Sequence, residues 1–296
     1  MRKVRGNFDL FHRYAWCVPS LADIFIIVAL LLVGVLLGNL IAFLFVRFLG
    51  TEAAMNYSML ISYPVMFLPP MIWAASFSAR AGASHKGLSL DSANVKPLGW
   101  VLCVLLVSLG TLALGVVCDP IGSLLPEMPD FLKDIMNNLT TGNFWLNFLS
   151  VSIFAPFFEE WLCRGMVLRG LLGHGTKPVW AIVLSAVFFA VIHFNPWQAL
   201  PAFMLGLFFG YVYYRTGSLK LTMLMHFVNN TAALVLGHIE ALKDKETWMD
   251  VLGPSFWYCF AGCVLLAALT VLALRRIPTL RPSGSCEVVK PLFGEE

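Results

Sequence analysis

Charged residues are scarce in this sequence. Asp, Glu, Lys and Arg together make up 12% of the 296 residues, whereas hydrophobic residues make up 59%. Soluble globular domains carry about 25% charged residues, so the composition excludes a soluble protein and indicates an integral membrane protein. The sequence also lacks the basic stripe of nucleic-acid-binding domains, and we expect no nucleic-acid partner.

Paired cysteines and a familiar zinc motif are missing as well. The seven cysteines fall mostly in apolar runs, where a thiol packs as a small hydrophobic group, and their spacing gives no disulfide framework. Cys259 and Cys263 share a helix face, which indicates packing more often than metal binding. The His-Glu-x-x-His motif of helical zinc proteases is absent.

Long apolar runs, by contrast, fill most of the chain. Candidate transmembrane helices, at about 20 residues per crossing, lie near 22–47, 57–78, 98–118, 143–168, 178–195, 197–215, 218–238 and 254–274. We therefore predict an all-α, polytopic membrane protein with about eight transmembrane helices. Its expected parts are an N-terminal scaffold (1–142), a core with the fourth to seventh helices (143–240), and a last helix with its tail (241–296). The first three helices carry few polar residues and are expected to be lipid-facing scaffold.

The distribution of basic residues predicts the orientation. With the N-terminus inside, most Lys and Arg residues fall in the inside segments, and the outside loops are acidic. The positive-inside rule then places both termini in the cytoplasm. We expect a multi-pass protein of a bacterial plasma membrane, with membrane lipid around it.

Polar side chains at membrane depth are confined to the fourth, fifth and seventh runs. They are Glu159, Glu160, Arg164, His193, His226, Asn229 and Asn230. Because ionisable groups in a bilayer are costly and must satisfy one another, we expect them to converge on one cavity among the fourth to seventh helices. The sixth run contains Gly206-Leu-Phe-Phe-Gly210, a small-xxx-small pattern that predicts close helix packing.

The adjacent carboxylates Glu159 and Glu160 differ in whether a cation is near them on the helix. Glu160 and Arg164 are four residues apart, so they share a face and can form an ion pair. Glu159 lies about 100° round the helix and lacks such a partner. A carboxylate without a cation in an apolar site is a candidate general base.

The other polar groups complete a hydrolytic arrangement. His226 and Asn230 share a face of the seventh helix, and both can donate hydrogen bonds to an oxyanion. His193, on another helix, would orient a water against Glu159. Counted along straight helices His193 lies deeper than Glu159 and His226, so we expect tilt or a kink, with Pro156 as its site.

The residues leave three alternatives open. Glu159, His193 and His226 are also candidate ligands for zinc or another divalent metal, so the water could be activated by metal instead of glutamate. Intramembrane ionisable groups also occur in proton-coupled transporters, although a transporter predicts an inverted repeat and the polar residues lie in one half only. A non-catalytic immunity or scaffold protein of the same fold is the third alternative.

Three motifs in order on successive hydrophobic helices resemble a known family. They are Glu159-Glu160-x-x-x-Arg164, Phe189-x-x-x-His193 and His226-x-x-x-Asn230. In this combination they resemble the CPBP family of CAAX-processing and bacteriocin-processing intramembrane proteases, also called the Abi family. The resemblance covers roughly residues 143–235.

The resemblance implies an all-helical intramembrane endopeptidase whose cavity opens toward the cytoplasm. Its substrate would be a membrane-associated or lipidated peptide, such as the prenylated CaaX sequences that the Ras-converting members of the family cleave. Glu159 would activate water with help from His193, and His226 and Asn230 would form the oxyanion hole. The supporting motif residues would be Glu160 and Arg164. The family is described both as metal-dependent and as glutamate-dependent, so the resemblance leaves the metal open, as it does the oligomeric state.

Overall fold

The chain folds into helices joined by short connections. The computed structural model describes residues 11–81, 87–122, 125–141, 143–242, 245 and 247–279. Within these ranges the chain forms helices and no β-strand. The basic residues at positions 1–10 and the C-terminal tail from residue 280, which contributed to the predicted orientation, lie outside the described residues.

The N-terminal half contains a long hairpin and two further helices. They are α1 (Leu21–Leu49), α2 (Thr51–Ala81), α3 (Trp100–Gly122) and α4 (Asp130–Thr141). α1 begins at a capping box, in which the Ser20 hydroxyl accepts from the Asp23 amide and the Asp23 carboxylate accepts from the Ser20 amide. α4 has apolar and polar faces, as expected for a helix that lies along a surface.

The fourth predicted span is one helical run, residues 144–173, whose geometry changes along its length. We call it the composite helix; its parts are α5 (Phe144–Asn147), a first π segment (Phe148–Phe154), α6 (Ala155–Glu160), a second π segment (Trp161–Leu168) and α7 (Arg169–Gly173). π-Helical turns are rare and occur frequently at functional sites. Pro156, where a kink was expected, lies in the first turn of α6, directly after the first π segment. The regular helix is therefore interrupted on both sides of Glu159 and Glu160.

The C-terminal half continues with five helices. They are α8 (Pro178–Val191), α9 (Pro196–Thr216), α10 (Leu219–Gly237), α11 (Trp248–Leu252) and α12 (Phe256–Leu274). The predicted end of the fifth span at residue 195 is wrong, because α8 ends at Val191 and His193 lies in the turn that follows.

Five stretches of the described chain are long and apolar enough to cross a membrane. They are Leu21–Leu49, Tyr57–Ala81, Trp100–Gly122, Leu219–Gly237 and Trp248–Leu274. Helices also occupy the other three predicted spans, but α8 has only 14 residues, and the composite helix and α9 are not among the five. The number of eight crossings therefore stays a prediction, as does the division of the chain into three parts.

The connections between helices gather at two opposite ends of the molecule. At one end, the amide of Leu88 donates to the carbonyl of Ala15 (2.8 Å), and that of Ser92 donates to Gly217 (2.9 Å). Arg215 donates to carbonyls at the end of α12. We call this the basic end; its described basic residues are Arg13, Arg80, Lys96, Arg169, Lys177, Arg215, Lys220, Arg275 and Arg276.

Most of the described Asp and Glu residues outside the helix interior lie at the opposite end. There the Trp197 indole donates to the carbonyl of Pro126 (2.7 Å), and the amide of Trp248 donates to the Asp119 carboxylate (3.0 Å). We call this the acidic end; its described acidic residues are Asp119, Glu127, Asp130, Asp134, Glu240 and Asp250. The connections that the sequence analysis assigned to opposite sides of the membrane thus lie at opposite ends of the helices.

Arg169 holds the basic end together. Its buried guanidinium donates to the carbonyls of Gly165 (2.6 Å), Leu88 (2.8 Å) and Ala15 (3.3 Å), and also to that of Cys17. The rigid guanidinium fork can bridge several acceptors at once. One side chain therefore joins the segment before α1, the α2–α3 connection and the composite helix.

Small residues let α9 approach α8 closely. An ideal Cβ on Gly206 would lie 3.1 Å from the Cα of Ala186, and one on Gly210 would lie 3.2 Å from Ile182. Side chains larger than hydrogen would push the two helices apart. The close packing predicted from the small-xxx-small pattern is confirmed.

The closest approach of a neighbouring helix to a described glycine gives a testable prediction. An ideal Cβ on Gly34 of α1 would lie 1.9 Å from the carbonyl oxygen of Met66 in α2, so Gly34→Ala must separate the hairpin. We expect the thermal unfolding midpoint of the purified protein to fall by roughly 2–8 °C. The control is Gly115→Ala, whose Cβ would meet nothing within 4 Å. An equal fall in both variants would contradict the close-packing explanation.

Candidate active site

The two adjacent glutamates of the composite helix are both buried. Glu159 is 9% exposed and Glu160 is fully buried. Their side chains diverge, because consecutive residues of a helix point in different directions. Glu160 faces α9 and α10, whereas Glu159 faces α2 and the turn after α8.

Glu160 lies between two nitrogen donors. Its Oε1 accepts from Arg164 Nη1 at 2.8 Å and lies 3.1 Å from His226 Nδ1. Arg164 also donates through Nη2 to the carbonyl of Gly206 at 3.0 Å, which ties the ion pair to α9. The ion pair predicted from the i,i+4 spacing is confirmed, and both of its side chains are completely buried.

Two aromatic rings enclose this ion pair. The guanidinium carbon of Arg164 lies 4.5 Å from the ring centre of Phe189 and 5.3 Å from that of Phe209. The same two rings lie against His226, at 5.5 Å and 6.0 Å between ring centres. Cation–π contacts of this kind strengthen when water is excluded. The cluster is therefore packed as a rigid unit that fixes the His226 ring.

One carboxylate oxygen of Glu159 accepts a hydrogen bond, and the other has no hydrogen-bond partner among the described residues. The Tyr63 hydroxyl of α2 donates to Oε1. Oε2 is buried without a hydrogen-bond partner and lies 4.0 Å from His193 Nε2. That distance is too long for a direct hydrogen bond and suits two groups that are bridged by a water.

His193 is oriented by the end of α8. Its Nδ1 lies 2.7 Å from the carbonyl oxygen of Phe189, and because a carbonyl only accepts, Nδ1 carries the proton. In the neutral ring Nε2 is then an acceptor, and it is the nitrogen that faces Glu159. The next residue, Phe194, has a φ of 51°, a conformation that bulky side chains rarely adopt. Such backbone strain clusters at functional sites.

A cavity of about 150 Å³ adjoins these residues. Its lining comes from α8, α9, α10 and the turn after α8, and consists of Phe189, His193, Gln198, Pro201, Ala202, Leu205, Phe209, His226, Asn229 and Asn230. A larger apolar groove of about 550 Å³ between α3, α9 and α12 contains no carboxylate or histidine. The chemistry of the smaller cavity makes it the candidate active site.

His226 and Asn230 line this cavity together, as their spacing predicted. Asn230 donates through Nδ2 to the carbonyl of Val151 at 2.8 Å, and its Oδ1 accepts from Asn229 at 3.1 Å. Val151 belongs to the first π segment. Asn230 is thus oriented by the composite helix, and an amide nitrogen has a second hydrogen to donate.

The candidate metal ligands belong to two separate clusters. His193 faces Glu159, whereas His226 faces Glu160. Among the described side chains, no three of His, Cys, Asp and Glu come together as a ligand set for a metal ion. The arrangement does not present Glu159, His193 and His226 as one zinc site.

Tyr63 is the site residue that sequence reasoning missed. The first three spans were expected to be lipid-facing scaffold, and α2 departs from this at Tyr63, whose hydroxyl donates to the carboxylate of Glu159. A tyrosine among apolar residues carries no periodic signal, and its partner lies 96 positions away in the sequence. The only available signal was a hydroxyl that needs a partner when buried.

A buried carboxylate that faces a histidine, beside a small cavity lined by that histidine and by further hydrogen-bond donors, is an arrangement suited to hydrolysis within a membrane. Residues 141–232 match the family model Rce1-like, described as type II CAAX prenyl endopeptidase Rce1-like. Through this segment the chain is similar to the CAAX proteases, which confirms the resemblance seen in the three motifs. With its five apolar helices, it is an integral membrane protein. No curated protein and no solved structure matches the chain significantly.

Proposed function

We propose that the protein is an intramembrane endopeptidase in which Glu159 activates a water for attack on a peptide bond. The observation that carries the proposal is the buried, unpartnered Oε2 of Glu159, which lies 4.0 Å from Nε2 of His193. A water between these atoms would donate one proton to each acceptor and turn its lone pairs toward the cavity. Glu159 is then the general base and His193 orients the water.

The reaction proceeds through a tetrahedral intermediate. The water oxygen bonds to the peptide carbonyl carbon while its proton passes to Glu159, and the carbonyl oxygen becomes an oxyanion. When the C–N bond breaks, Glu159 returns the proton to the leaving nitrogen. The products are a carboxylic acid and an amine, so all atoms of the water are accounted for.

His226 and Asn230 stabilise the oxyanion in this proposal. The Nδ1 of His226 is oriented by Glu160, at 3.1 Å, which leaves Nε2 for the cavity that the ring lines. Nε2 serves as a donor when it carries a proton. The second amide hydrogen of Asn230 is the other donor.

The substrate class is a polypeptide segment at the membrane, with or without a lipid anchor. The test is to incubate purified protein in lipid nanodiscs with pools of membrane-spanning and prenylated peptides in ¹⁸O-labelled water. We expect peptide products whose new carboxyl group contains ¹⁸O, in equal amounts with and without a chelator. Loss of cleavage with the chelator, restored by zinc, would overturn glutamate-activated water. No cleavage in any pool would favour the non-catalytic scaffold alternative.

Tyr63→Phe tests the orientation of the proposed base. The variant removes the donor to Oε1 of Glu159 but keeps the ring, and a hydrogen bond to a charged group contributes about 1.5–3 kcal/mol. We expect kcat to fall about 10- to 100-fold with KM nearly unchanged. Tyr57→Phe, an exposed tyrosine of the same helix, should leave kcat as in the wild type. A rise in KM alone would mean that Tyr63 contacts substrate instead.

A further inference from the structure

The active-site cavity has a closed floor and an open mouth. The floor consists of Phe189, Phe209 and His226, which are 3%, 1% and 4% exposed. The mouth consists of residues of intermediate exposure on the same walls: His193, Gln198, Asn229 and Asn230. Exposure therefore increases along the cavity toward the turn between α8 and α9.

Buried side chains close the cavity on the side of its floor that faces the basic end. From the floor toward that end, α9 and α10 continue with fully buried residues that fill the space between the helices. These are Val212, Tyr213, Leu219 and Thr222. The Tyr213 hydroxyl is bonded to the carbonyl of Leu90 at 2.8 Å, which ties the α2–α3 connection over the helix ends. Among the described residues that line the cavity, the more exposed polar ones lie at the mouth, which is therefore the route by which water and peptide reach the floor.

The mouth lies at the acidic end of the molecule. Trp197, next to Gln198, is bonded to Pro126 in the connection between α3 and α4. The amide of Asn195 contacts the sulfur of Met136 in α4 at 3.7 Å. The cavity therefore opens beside the acidic connections, opposite the end where most of the described Lys and Arg residues lie.

The charge distribution assigns a side of the membrane to this mouth. Connections rich in Lys and Arg remain in the cytoplasm during insertion, which places the basic end inside and the acidic end outside. We propose that the active site opens to the extracytoplasmic side and that its substrate is a membrane-anchored polypeptide presented at the outer leaflet. The proposal rests on the proposed endopeptidase activity for the substrate, but the side of opening does not depend on it.

An extracytoplasmic opening differs from the cytoplasmic opening that the family resemblance implied. In this structure a cytoplasmic opening and the positive-inside orientation cannot both hold, because the mouth and the basic residues lie at opposite ends. A cytosolic CaaX terminus would have to pass the buried residues between the floor and the basic end. An exported peptide, or an extracytoplasmic segment of another membrane protein, would reach the mouth directly.

α4 fits a position at the outer surface beside the mouth. Its side chains Phe131 and Ile135 are exposed, at 68% and 52%, although they are large and apolar. An amphipathic helix with such a face lies in the plane of the interface, with its apolar side in the lipid boundary. Since α4 adjoins the α8–α9 turn through Met136, the mouth would open near the level of the outer lipid headgroups.

The test is the accessibility of single cysteines to a membrane-impermeant maleimide. The parent protein has Cys259, Cys263 and Cys286 replaced by serine, so that the described cysteines that remain are buried. Phe194→Cys reports on the mouth, and Lys177→Cys, at the exposed start of α8, reports on the basic end. Both are expressed in a bacterial host and labelled in intact spheroplasts and after permeabilisation.

We expect Phe194→Cys to be labelled in intact spheroplasts and Lys177→Cys to be labelled only after permeabilisation. Labelling of Lys177→Cys alone in intact spheroplasts would overturn the proposal, as would failure of Phe194→Cys to react in either preparation. Labelling needs no turnover. If the protein cleaves peptides but does not show the expected labelling, the proposed side of opening is wrong. If it shows the expected labelling but cleaves no peptide, the proposed function is wrong.

Discussion

Glu159→Gln is expected to slow peptide cleavage strongly while the protein folds normally. Glutamine keeps the size of the side chain and can still accept from Tyr63, but it cannot take a proton from water. Since general-base catalysis contributes about 10²–10⁴-fold to a rate, we expect cleavage to fall by roughly that factor. The measurement is the rate of product formation by mass spectrometry, beside the thermal unfolding midpoint of the same preparation.

The matched control for this variant is Glu127→Gln. Glu127 is an exposed carboxylate of the α3–α4 connection, so its replacement removes the same charge without touching the site. We expect its activity to equal that of the wild type. A Glu159→Gln protein that cleaves as fast as the control would refute the role of Glu159 as base. Its unfolding midpoint near the wild-type value would exclude misfolding as the cause of a loss.

Arg164→Met is expected to have the largest effect on stability. It leaves the fully buried Glu160 without its cation, and removing one partner of a buried ion pair costs about 3–5 kcal/mol. We expect little monodisperse protein after purification and a strongly lowered unfolding midpoint. Arg276→Met, at an exposed position of the basic end, should purify as the wild type does.

A second substitution separates the ion pair from simple loss of volume. The double variant Glu160→Gln, Arg164→Met removes both charges, and neutral replacements of buried pairs are often tolerated. We expect the double variant to be more stable than Arg164→Met alone, which a double-mutant cycle measures directly. If the two variants unfold at the same temperature, the destabilisation comes from lost packing against Phe189 and Phe209.

Local spacing predicted the parts of the site that depend on one helix. The pair Glu160 and Arg164 and the shared face of His226 and Asn230 follow from a separation of four residues, and the structure has both. Contacts between distant segments have no such signal. Tyr63 reaches Glu159, and Arg169 reaches Ala15, through side chains whose partners only the tertiary fold brings near.

The geometry around His193 could not be read from a periodic pattern. A straight helix through residue 195 placed His193 too deep, and tilted helices or a kink were expected to close the gap. In the structure α8 ends at Val191, and Nδ1 of His193 lies against the carbonyl oxygen of Phe189. The π segments beside Glu159 have no sequence period of their own, so a sequence of apolar residues does not reveal them.

Arg169 also limits how the protein can be divided. Its guanidinium belongs to the matched segment 141–232, but three of its four carbonyl partners, Ala15, Cys17 and Leu88, lie outside that segment. Excising the segment would leave buried donors unsatisfied, at a cost of about 1–3 kcal/mol for each group. We therefore expect the matched segment not to fold by itself, because Arg169 needs carbonyl partners from the part of the chain that the family model does not match.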